Sequence, residues 1–203
     1  MTSIYLFRHG NTDFPKELIG GRSNEVPLTD KGRRESHELG LWIAHQELTP
    51  DFIAVSPADR TRETARIALS NLGLMIEPII EERLQELTKG DAEGRLRDEV
   101  HTPEVLERMR LEGNDFKYSN GESNNETARR MHDWVFEMLQ DRAGQIIFGF
   151  THGIATRCLV AKYLDWSLEQ FNDSTVENTA ATIMHFDGDE LIDLRFNVST
   201  RSQ

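Results

Sequence analysis

Short apolar runs that alternate with helical segments are the feature of this sequence that most restricts its fold. Runs of strand length occupy residues 4–7, 52–55, 75–79 and 145–150. Segments with apolar residues at helical spacing lie between these runs or follow them. Strands that alternate with helices predict an α/β fold, a three-layer α/β/α sandwich with a mostly parallel central sheet.

Capping residues and helix breakers give approximate bounds for the helices. Thr29 and Asp30 can cap a helix over residues 30–47, and Pro103 opens a shorter helix over residues 103–109. Further helices are predicted over residues 59–72, 126–140 and 154–164.

The end of the chain predicts a β-hairpin. Asp187-Gly188 lies between strand-like runs at residues 179–186 and 191–197, which is a strong signal for a two-residue turn. We therefore expect an antiparallel edge strand on the otherwise parallel sheet. The length of 203 residues fits one domain. We predict a single domain over residues 1–203, with a small insert around residues 95–122.

The charge of the chain limits its partners. It has 23 Lys and Arg residues against 35 Asp and Glu residues, so its formal net charge is −12. Such a surface repels nucleic acid and anionic lipid at long range, and we predict neither as a partner. It repels phosphorylated molecules as well, so a site for such a substrate needs a local arginine cluster.

Cysteine content and the start of the sequence bear on location. Cys158 is the only cysteine, so no internal disulfide is expected, and burial as a small apolar side chain is its predicted role. No signal-peptide pattern precedes residues 4–7, and no apolar run approaches the roughly 18 residues of a membrane span. We expect a reducing, cytoplasmic location.

Residues with catalytic side chains gather where the predicted strands end. Residues 8–10 follow the first strand, residues 56–62 follow the second and residues 151–153 follow the fourth. In open α/β sheets ligands bind beyond the carboxyl ends of the strands, so these segments should meet at one edge with the loop after the third strand. The side chains that would meet there are two histidines, three arginines and one carboxylate, namely His9, His152, Arg8, Arg60, Arg62 and Glu86.

These residue types suit phosphoryl transfer. Arginine forks bind phosphate oxygens in bidentate fashion, and a neutral imidazole is a nucleophile. A carboxylate can protonate a leaving alkoxide and then deprotonate a water molecule. Helix N-termini after residues 58 and 153 would add backbone N–H groups that favour an anion.

Two other uses of the same residues stay open. His9, His152 and Glu86 are residue types that ligate metals, although the neighbouring arginines repel a divalent cation. The same fold can also serve as a phosphoprotein-binding module without catalysis.

Six ordered segments carry a family resemblance. They are LFRHGNT at residues 6–12, PLTDKG at 27–32, SPADRTRETA at 56–65, LQE at 84–86 with a glycine loop at 90–94, GES at 121–123 and THG at 151–153. In this order they resemble the signature of the histidine phosphatase superfamily, the phosphoglycerate mutase-like group. The matches span about three quarters of the chain, and the ordered set is far more specific than R-H-G alone.

The resemblance implies a phosphoglycerate mutase-like fold and a role for each matched residue. His9 would be the nucleophile that becomes phosphohistidine, and Glu86 would be the acid and later the base. Arg8, Arg60 and His152 would hold the phosphoryl oxygens, with no metal and no organic cofactor. The predicted substrate contacts are Arg8, Asn11, Thr12, Ser23, Arg60, His152 and Gly153.

Some positions differ from the usual pattern of the family. Asn11 follows R-H-G where Glu, Gln or Ser is usual, Pro15 stands where Asn is frequent, and Ala92 stands where Trp is common. Residues 21–26 are irregular against the usual G-x-x-D-x-P-L-T segment. None of these positions is a predicted catalytic residue, so the differences concern which substrate binds.

Two reactions fit the resemblance. The first is hydrolysis of a small phosphorylated metabolite, and the alternative is a cofactor-dependent phosphoglycerate mutase. Mutases of this group usually carry a longer insert after the catalytic Glu, rich in basic residues for a second anionic group. The segment at residues 95–120 is short, and acidic residues are interspersed among its basic ones. The basic residues are Arg95, Arg97, Arg108, Arg110 and Lys117. We therefore predict hydrolysis. Pairing of edge strands would also permit a homodimer.

Overall fold

A six-stranded mixed sheet forms the centre of the molecule. The computed structural model describes residues 1–73 and 77–201. The strand order is β3-β2-β4-β1-β5-β6. β1, β4, β2 and β3 are parallel, whereas β5 is antiparallel to both β1 and β6. The strands are β1 (Thr2–Arg8), β2 (Phe52–Val55), β3 (Ile79–Ile80), β4 (Ile146–Thr151), β5 (Ala181–Asp187) and β6 (Glu190–Val198).

Helices cover both faces of this sheet. They are α1 (Asp30–His45), α2 (Asp59–Ser70), α3 (Arg97–Val100), α4 (Pro103–Glu112), α5 (Asn124–Asp141), α6 (Gly153–Leu164) and α7 (Leu168–Asp173). Apolar residues of α1 and α2 form one core cluster with the sheet, and those of α5 and α6 form another. The three-layer α/β/α sandwich with an antiparallel hairpin at one edge is therefore confirmed.

Side chains that alternate along β1 pack into the two hydrophobic clusters on opposite faces of the sheet. Ile4 and Leu6 pack with Trp134 of α5 in one cluster, whereas Tyr5 and Phe7 belong to the other. All four are buried because β1 lies in the middle of the sheet with helices on both faces. Because helices cover both faces of the sheet at β1, the sequence of this strand is a continuous apolar run at residues 4–7.

Several predicted bounds shift in the structure. The helix capped by Thr29 ends at His45, and α4 continues to Glu112. The described part of the third strand is Ile79–Ile80, while residues 74–76, within or beside the predicted run at 75–79, lie outside the described residues. The hairpin turn consists of Gly188-Asp189 rather than Asp187-Gly188, because Asp187 still pairs with Glu190 in the ladder.

Two short helices are absent from the sequence-based prediction. α3 follows the glycine loop, and α7 begins after Ser167, whose side chain forms a reciprocal capping box with Gln170. The S-x-x-Q spacing of that box is the sequence signal that would have revealed α7. Among the described residues, no helix combines the length and the apolar composition that crossing a membrane requires.

The loop after β1 packs tightly against the first turn of α1. A Cβ atom on Gly32 would lie 2.2 Å from the carbonyl oxygen of Asn11, and one on Gly10 would lie 2.5 Å from the carbonyl oxygen of Gly32. The backbone N–H of Asn11 also donates to Glu35 Oε2 at 2.8 Å. Glycine at positions 10 and 32 is therefore required by close backbone approach, and the approach fixes the loop that carries His9.

Replacement of Gly32 by alanine should destabilise the fold by about 1–3 kcal/mol, because the new methyl group overlaps backbone that has no room to move. Alanine ordinarily stabilises a helix relative to glycine by about 1 kcal/mol, so the sign of the effect is diagnostic. Urea unfolding followed by tryptophan fluorescence measures it. Gly20→Ala is the matched control, since its nearest new contact is the Phe14 ring at 3.5 Å. A Gly32→Ala protein as stable as wild type would contradict the close approach.

Candidate active site

The segments predicted to converge do meet at the carboxyl edge of the parallel strands. The last pair of the β1–β4 ladder is Arg8 with Thr151, and the next residue of each strand is a histidine. The imidazole centroids of His9 and His152 are 5.2 Å apart. An Arg60 Nη2 atom from the first turn of α2 lies 3.1 Å from His152 Nδ1.

Hydrogen bonds fix both the ring and the backbone of His9. Nδ1 lies 2.7 Å from the carbonyl oxygen of Gly10. A carbonyl oxygen only accepts, so Nδ1 carries the ring proton and the lone pair is on Nε2. The backbone N–H of His9 donates to Thr151 O at 3.1 Å, and its carbonyl oxygen accepts from Asn178 Nδ2 at 3.1 Å. Nε2 is therefore presented in the form that can act as a nucleophile.

Burial beside positive charge keeps the site histidines neutral. Burial lowers the pKa of His9 well below its ordinary value, and the charges of Arg8 and Arg60 lower it further. Burial also lowers the pKa of His152, with smaller contributions from His9 and Arg60. Burial likewise lowers the pKa of each guanidinium, an effect that the Glu86 carboxylate opposes. An anionic ligand would therefore stabilise the charged forms of Arg8 and Arg60, which burial disfavours.

Two arginines flank the nucleophile candidate. Arg8 donates from Nη1 to the carbonyl oxygen of Val176, and its buried Nε has no hydrogen-bond partner among residues 1–73 and 77–201. A Cβ atom on Gly153 would lie 3.2 Å from that Nε, so glycine leaves the guanidinium room beside α6. Arg60 donates from Nη1 to the carbonyl oxygen of Ser23. Both guanidinium groups are thus held by backbone carbonyls.

His152 is enclosed behind Arg60. Arg60 can only donate, so His152 Nδ1 accepts its hydrogen bond, and Nε2–H donates to Ser56 Oγ at 2.8 Å. Both ring nitrogens are engaged, and His152 is 1% exposed. In this arrangement the ring orients the Arg60 guanidinium. The predicted contact of His152 with phosphoryl oxygens stays a prediction.

The Glu86 carboxylate lies at the N-terminus of α6. Its Oε1 atom accepts from the backbone N–H groups of Leu87 at 2.9 Å and Ala155 at 2.8 Å. Its Oε2 atom accepts from the N–H of Ile154 at 3.1 Å. The N–H groups of Ile154 and Ala155 belong to the first turn of α6, where they have no partner within the helix, and they fix the carboxylate at the wall of the site.

A charged network behind the site supports the Glu86 backbone. The carbonyl oxygen of Glu86 accepts from Arg22 Nε at 2.9 Å and Arg130 Nη2 at 3.1 Å. Both arginines pair with Glu122, at 2.7 Å and 3.0 Å respectively. Burial opposes ionisation of Glu122, yet hydrogen bonding to Arg130 and the charges of both arginines lower its pKa overall. Glu122 belongs to the GES segment, and its structural role was not foreseen from the sequence.

A cavity of about 340 Å³ lies at this edge of the sheet, and His152 is not part of its lining. Its size suits a small molecule. Predicted site residues and unforeseen residues share its lining. The predicted ones are Arg8, His9, Thr12, Ser23, Arg60 and Glu86, and the others include Phe14, Ile19, Lys89, Arg97, His101 and Tyr118.

Some residues that were predicted to lie in the site do not line the cavity. The Asn11 side-chain oxygen accepts from Thr29 Oγ1 at 2.7 Å, so it holds the N-cap of α1. Gly153 is a packing position beside Arg8, and its neighbour Ile154 lines the cavity instead. Arg62 lies 3.8 Å from Asp59 in an exposed ion pair, outside the site.

A second cavity, of about 400 Å³, lies between α5, α6 and α7. None of the predicted site residues lines it. Cys158 does, as a buried side chain that is 1% exposed, and burial raises the pKa of its thiol to about 12. The predicted role of Cys158 as a small apolar side chain is confirmed.

The metal interpretation of His9, His152 and Glu86 finds no support in their contacts. Both ring nitrogens of His152 and both carboxylate oxygens of Glu86 already bond to protein groups. Across the ranges 1–73 and 77–201, no group of three His, Cys, Asp or Glu side chains is arranged to hold a metal ion.

Known proteins share this sequence pattern and fold. Residues 4–199 match the model of the histidine phosphatase superfamily (branch 1). A probable phosphoglycerate mutase of Klebsiella pneumoniae is 35% identical over 171 residues, which cover 81% of this chain and 75% of that protein. The structure of a putative alpha-ribazole-5'-P phosphatase from Escherichia coli superposes with a TM-score of 0.82 at 20% identity, over 98% of this chain and 97% of that one. Bacillus stearothermophilus YhfR superposes with a TM-score of 0.81 at 26% identity, over 100% and 98%.

The chain therefore belongs to the histidine phosphatase superfamily, as its motifs predict. By this membership it is classed as a histidine-type phosphatase, an enzyme that acts on phosphoric monoesters.

The protonation of His9 is directly measurable. NMR titration of the ¹³C-labelled imidazole should give a pKa below the ordinary value of about 6.5, because burial and the neighbouring arginines disfavour the charged form. Between that pKa and about 6.5 only the unfolded chain binds the proton, so the free energy of unfolding falls as the pH drops through this window. The loss should be smaller in His9→Gln. A His9 pKa at or above 6.5 would contradict the proposed charge state.

Proposed function

We propose that this protein hydrolyses phosphate monoesters of small metabolites through a phosphohistidine formed at His9. The observation that carries the proposal is the His9 imidazole, whose Nδ1 atom bonds to the Gly10 carbonyl oxygen and which lines the same cavity as Arg8 and Arg60. A nucleophile next to fixed positive charge is what a phosphoryl group requires, since positioning and charge stabilisation dominate its transfer.

The reaction proceeds in two displacements. His9 Nε2 attacks phosphorus, and the bond from phosphorus to the alcohol oxygen breaks while Glu86, which enters this step as the carboxylic acid, gives its proton to that oxygen and becomes a carboxylate. Water then attacks the phosphohistidine, Glu86 takes its proton, and the phosphorus–nitrogen bond breaks to free inorganic phosphate. Arg8 and Arg60 stabilise the equatorial oxygens in both steps, and His152 holds the Arg60 fork in place.

The ion pairs of the insert at residues 103–117 favour hydrolysis over a mutase reaction. A mutase must retain a substrate that carries two phosphoryl groups, so it needs further cations. Three basic residues of the insert are instead neutralised by acidic neighbours, in the pairs Arg108–Glu112, Arg110–Glu107 and Lys117–Glu126.

A phosphoglycerate mutase is the second candidate, favoured by the name of the Klebsiella pneumoniae relative at 35% identity. The two reactions separate in one assay, in which 3-phosphoglycerate is supplied with and without 2,3-bisphosphoglycerate. Isomerisation that the bisphosphate stimulates, faster than the release of inorganic phosphate, would replace the hydrolase proposal with the mutase.

His9→Ala should lose at least about 10³-fold in kcat towards p-nitrophenyl phosphate, because no phosphohistidine can form. Activity of the wild type should be the same with and without EDTA. His37→Ala is the matched control, since His37 is an exposed histidine of α1 that lies outside the cavity. Retained activity in His9→Ala, or loss of wild-type activity with EDTA, would refute the mechanism.

Glu86→Gln should slow hydrolysis of alkyl phosphates by about 10²-fold or more, because an alkoxide leaves poorly without a proton. Nitrophenolate is a better leaving group, so p-nitrophenyl phosphate should suffer far less. Glu99→Gln, an exposed position of α3, is the control. Equal losses for both leaving groups would show that Glu86 does not donate the proton.

A further inference from the structure

The segment between α7 and β5 contacts the end of β1, although it takes no direct part in the proposed chemistry. It comprises residues 174–180, and none of them lines the active-site cavity. Its hydrogen bonds nevertheless reach Arg8 and His9. The segment can therefore affect the reaction only through the positions of these two residues.

Backbone groups of the segment hold Arg8. The backbone N–H of Arg8 donates to the carbonyl oxygen of Ala180 at 3.2 Å, and Arg8 Nη1 donates to the carbonyl oxygen of Val176. The N–H of Thr179 donates to the carbonyl oxygen of Arg8 at 3.1 Å. These contacts extend the pairing of β1 with β5 past its last pair, Phe7 with Ala181. The position of Arg8 thus follows from ordinary sheet formation.

The contact with His9 is different because a side chain makes it. Asn178 Nδ2 donates to the carbonyl oxygen of His9 at 3.1 Å. The next N–H along the chain, that of Gly10, donates to Thr64 Oγ1 of α2 at 3.0 Å. This carbonyl and this N–H belong to one planar peptide unit. Side chains from two distant parts of the chain therefore fix the His9–Gly10 peptide at both ends.

The orientation of that peptide bears on the direction of the His9 ring. The Nδ1–H group donates to the following carbonyl oxygen, that of Gly10, at 2.7 Å. A rotation of the His9–Gly10 peptide would displace this carbonyl and release Nδ1, so that the ring proton could move to Nε2. Asn178 therefore acts on the proposed nucleophile through the backbone, without lining the cavity.

The conformation of the next residue indicates that the position of the amide is not a product of local preference. Thr179 has a φ of +60°, whereas Asn178 does not have a positive φ. Asparagine tolerates the left-handed region, but a β-branched residue there is an outlier. The segment thus has threonine in the unfavourable conformation and uses the asparagine side chain elsewhere. Strained residues of this kind cluster at functional sites.

Buried contacts keep the backbone around Asn178 in place. Thr179 is 0% exposed, and its Oγ1 atom donates to the carbonyl oxygen of Asn178 at 2.7 Å. The carbonyl oxygen of Thr179 accepts from Thr200 Oγ1 at 3.1 Å. On the other side, the N–H of Glu177 donates to Asn197 Oδ1 of β6 at 2.8 Å. The amide is therefore held against His9 by the surrounding structure.

We propose that Asn178 is a positioning residue for His9, whose side-chain amide fixes the His9–Gly10 peptide and so keeps the Nε2 lone pair directed at the substrate phosphorus. The proposal rests on the proposed function for the identity of the nucleophile. It gives a residue outside the cavity a role in the rate of phosphoryl transfer and none in the affinity for phosphate.

Asn178→Leu tests the proposal, because leucine has a similar volume, no donor and no charge. Its kcat for p-nitrophenyl phosphate should fall by about tenfold to a hundredfold, since a nucleophile held in the wrong direction rarely reaches phosphorus. Its Kd for inorganic phosphate should stay within about twofold of wild type, because Arg8 and Arg60 keep their carbonyl partners. Asn178→Gln keeps an amide and should lose less activity than Asn178→Leu.

Asn172→Leu is the matched control, because Asn172 is an exposed asparagine of α7 in the same part of the chain. Its kcat and Kd should equal those of wild type. Unchanged kcat in Asn178→Leu, or a loss of phosphate affinity as large as the loss of kcat, would overturn the positioning role. Asn178→Ala replaces Asn178→Leu in every measurement if urea unfolding shows that the leucine variant does not fold.

NMR of the ¹⁵N-labelled imidazole of His9 separates this proposal from the proposed function, because it needs no turnover. In wild type the two ring nitrogens should give the distinct signals of a protonated Nδ1 and an unprotonated Nε2. In Asn178→Leu both signals should move towards the average of the two tautomers. That movement supports the positioning role even if wild type hydrolyses no phosphate monoester. Unchanged signals refute it even if hydrolysis through His9 is rapid.

Discussion

The parallel pairing of β1 with β4 is the constraint on which the rest of the site depends. The ladder ends with Arg8 opposite Thr151, so the next residue of each strand is a histidine at the same edge of the sheet. These strands lie side by side although well over a hundred residues separate them in sequence. The apolar burial of both strands therefore fixes their register, because a shift of one strand by one residue would turn its apolar side chains to the opposite face.

Burial of charge gives that edge its chemical character. Removing His9 from water favours its neutral form, and the same burial surrounds it with guanidinium groups that have lost part of their own hydration. Such an arrangement would be costly without supports. Carbonyl oxygens hold Arg8 and Arg60, and the Glu122 network ties the loop of Glu86 to α5. The site is preorganised because carbonyl oxygens and the Glu122 network replace hydrogen bonds to water that these groups lose when they are buried.

The sequence was sufficient for the parts of the site that come from strand ends. His9, His152 and Arg60 follow or lie near apolar runs, and neighbouring parallel strands must present them at one edge. Positions in loops were harder to foresee. Nothing in local spacing reveals that Lys89 and Arg97 line the same cavity, because their positions depend on how two loop segments pack. Asn11 was assigned by its place beside the R-H-G motif, yet its side chain is engaged with Thr29.

The buried Cys158 side chain has a consequence for chemical durability. A thiol reacts with peroxides and electrophiles through its thiolate, and the raised pKa of about 12 keeps Cys158 protonated. Many phosphate-transfer enzymes depend on a cysteine nucleophile that oxidation silences. In this protein the proposed nucleophile is an imidazole and the only sulfhydryl is shielded, so catalysis should be indifferent to redox conditions that switch thiol-based enzymes off.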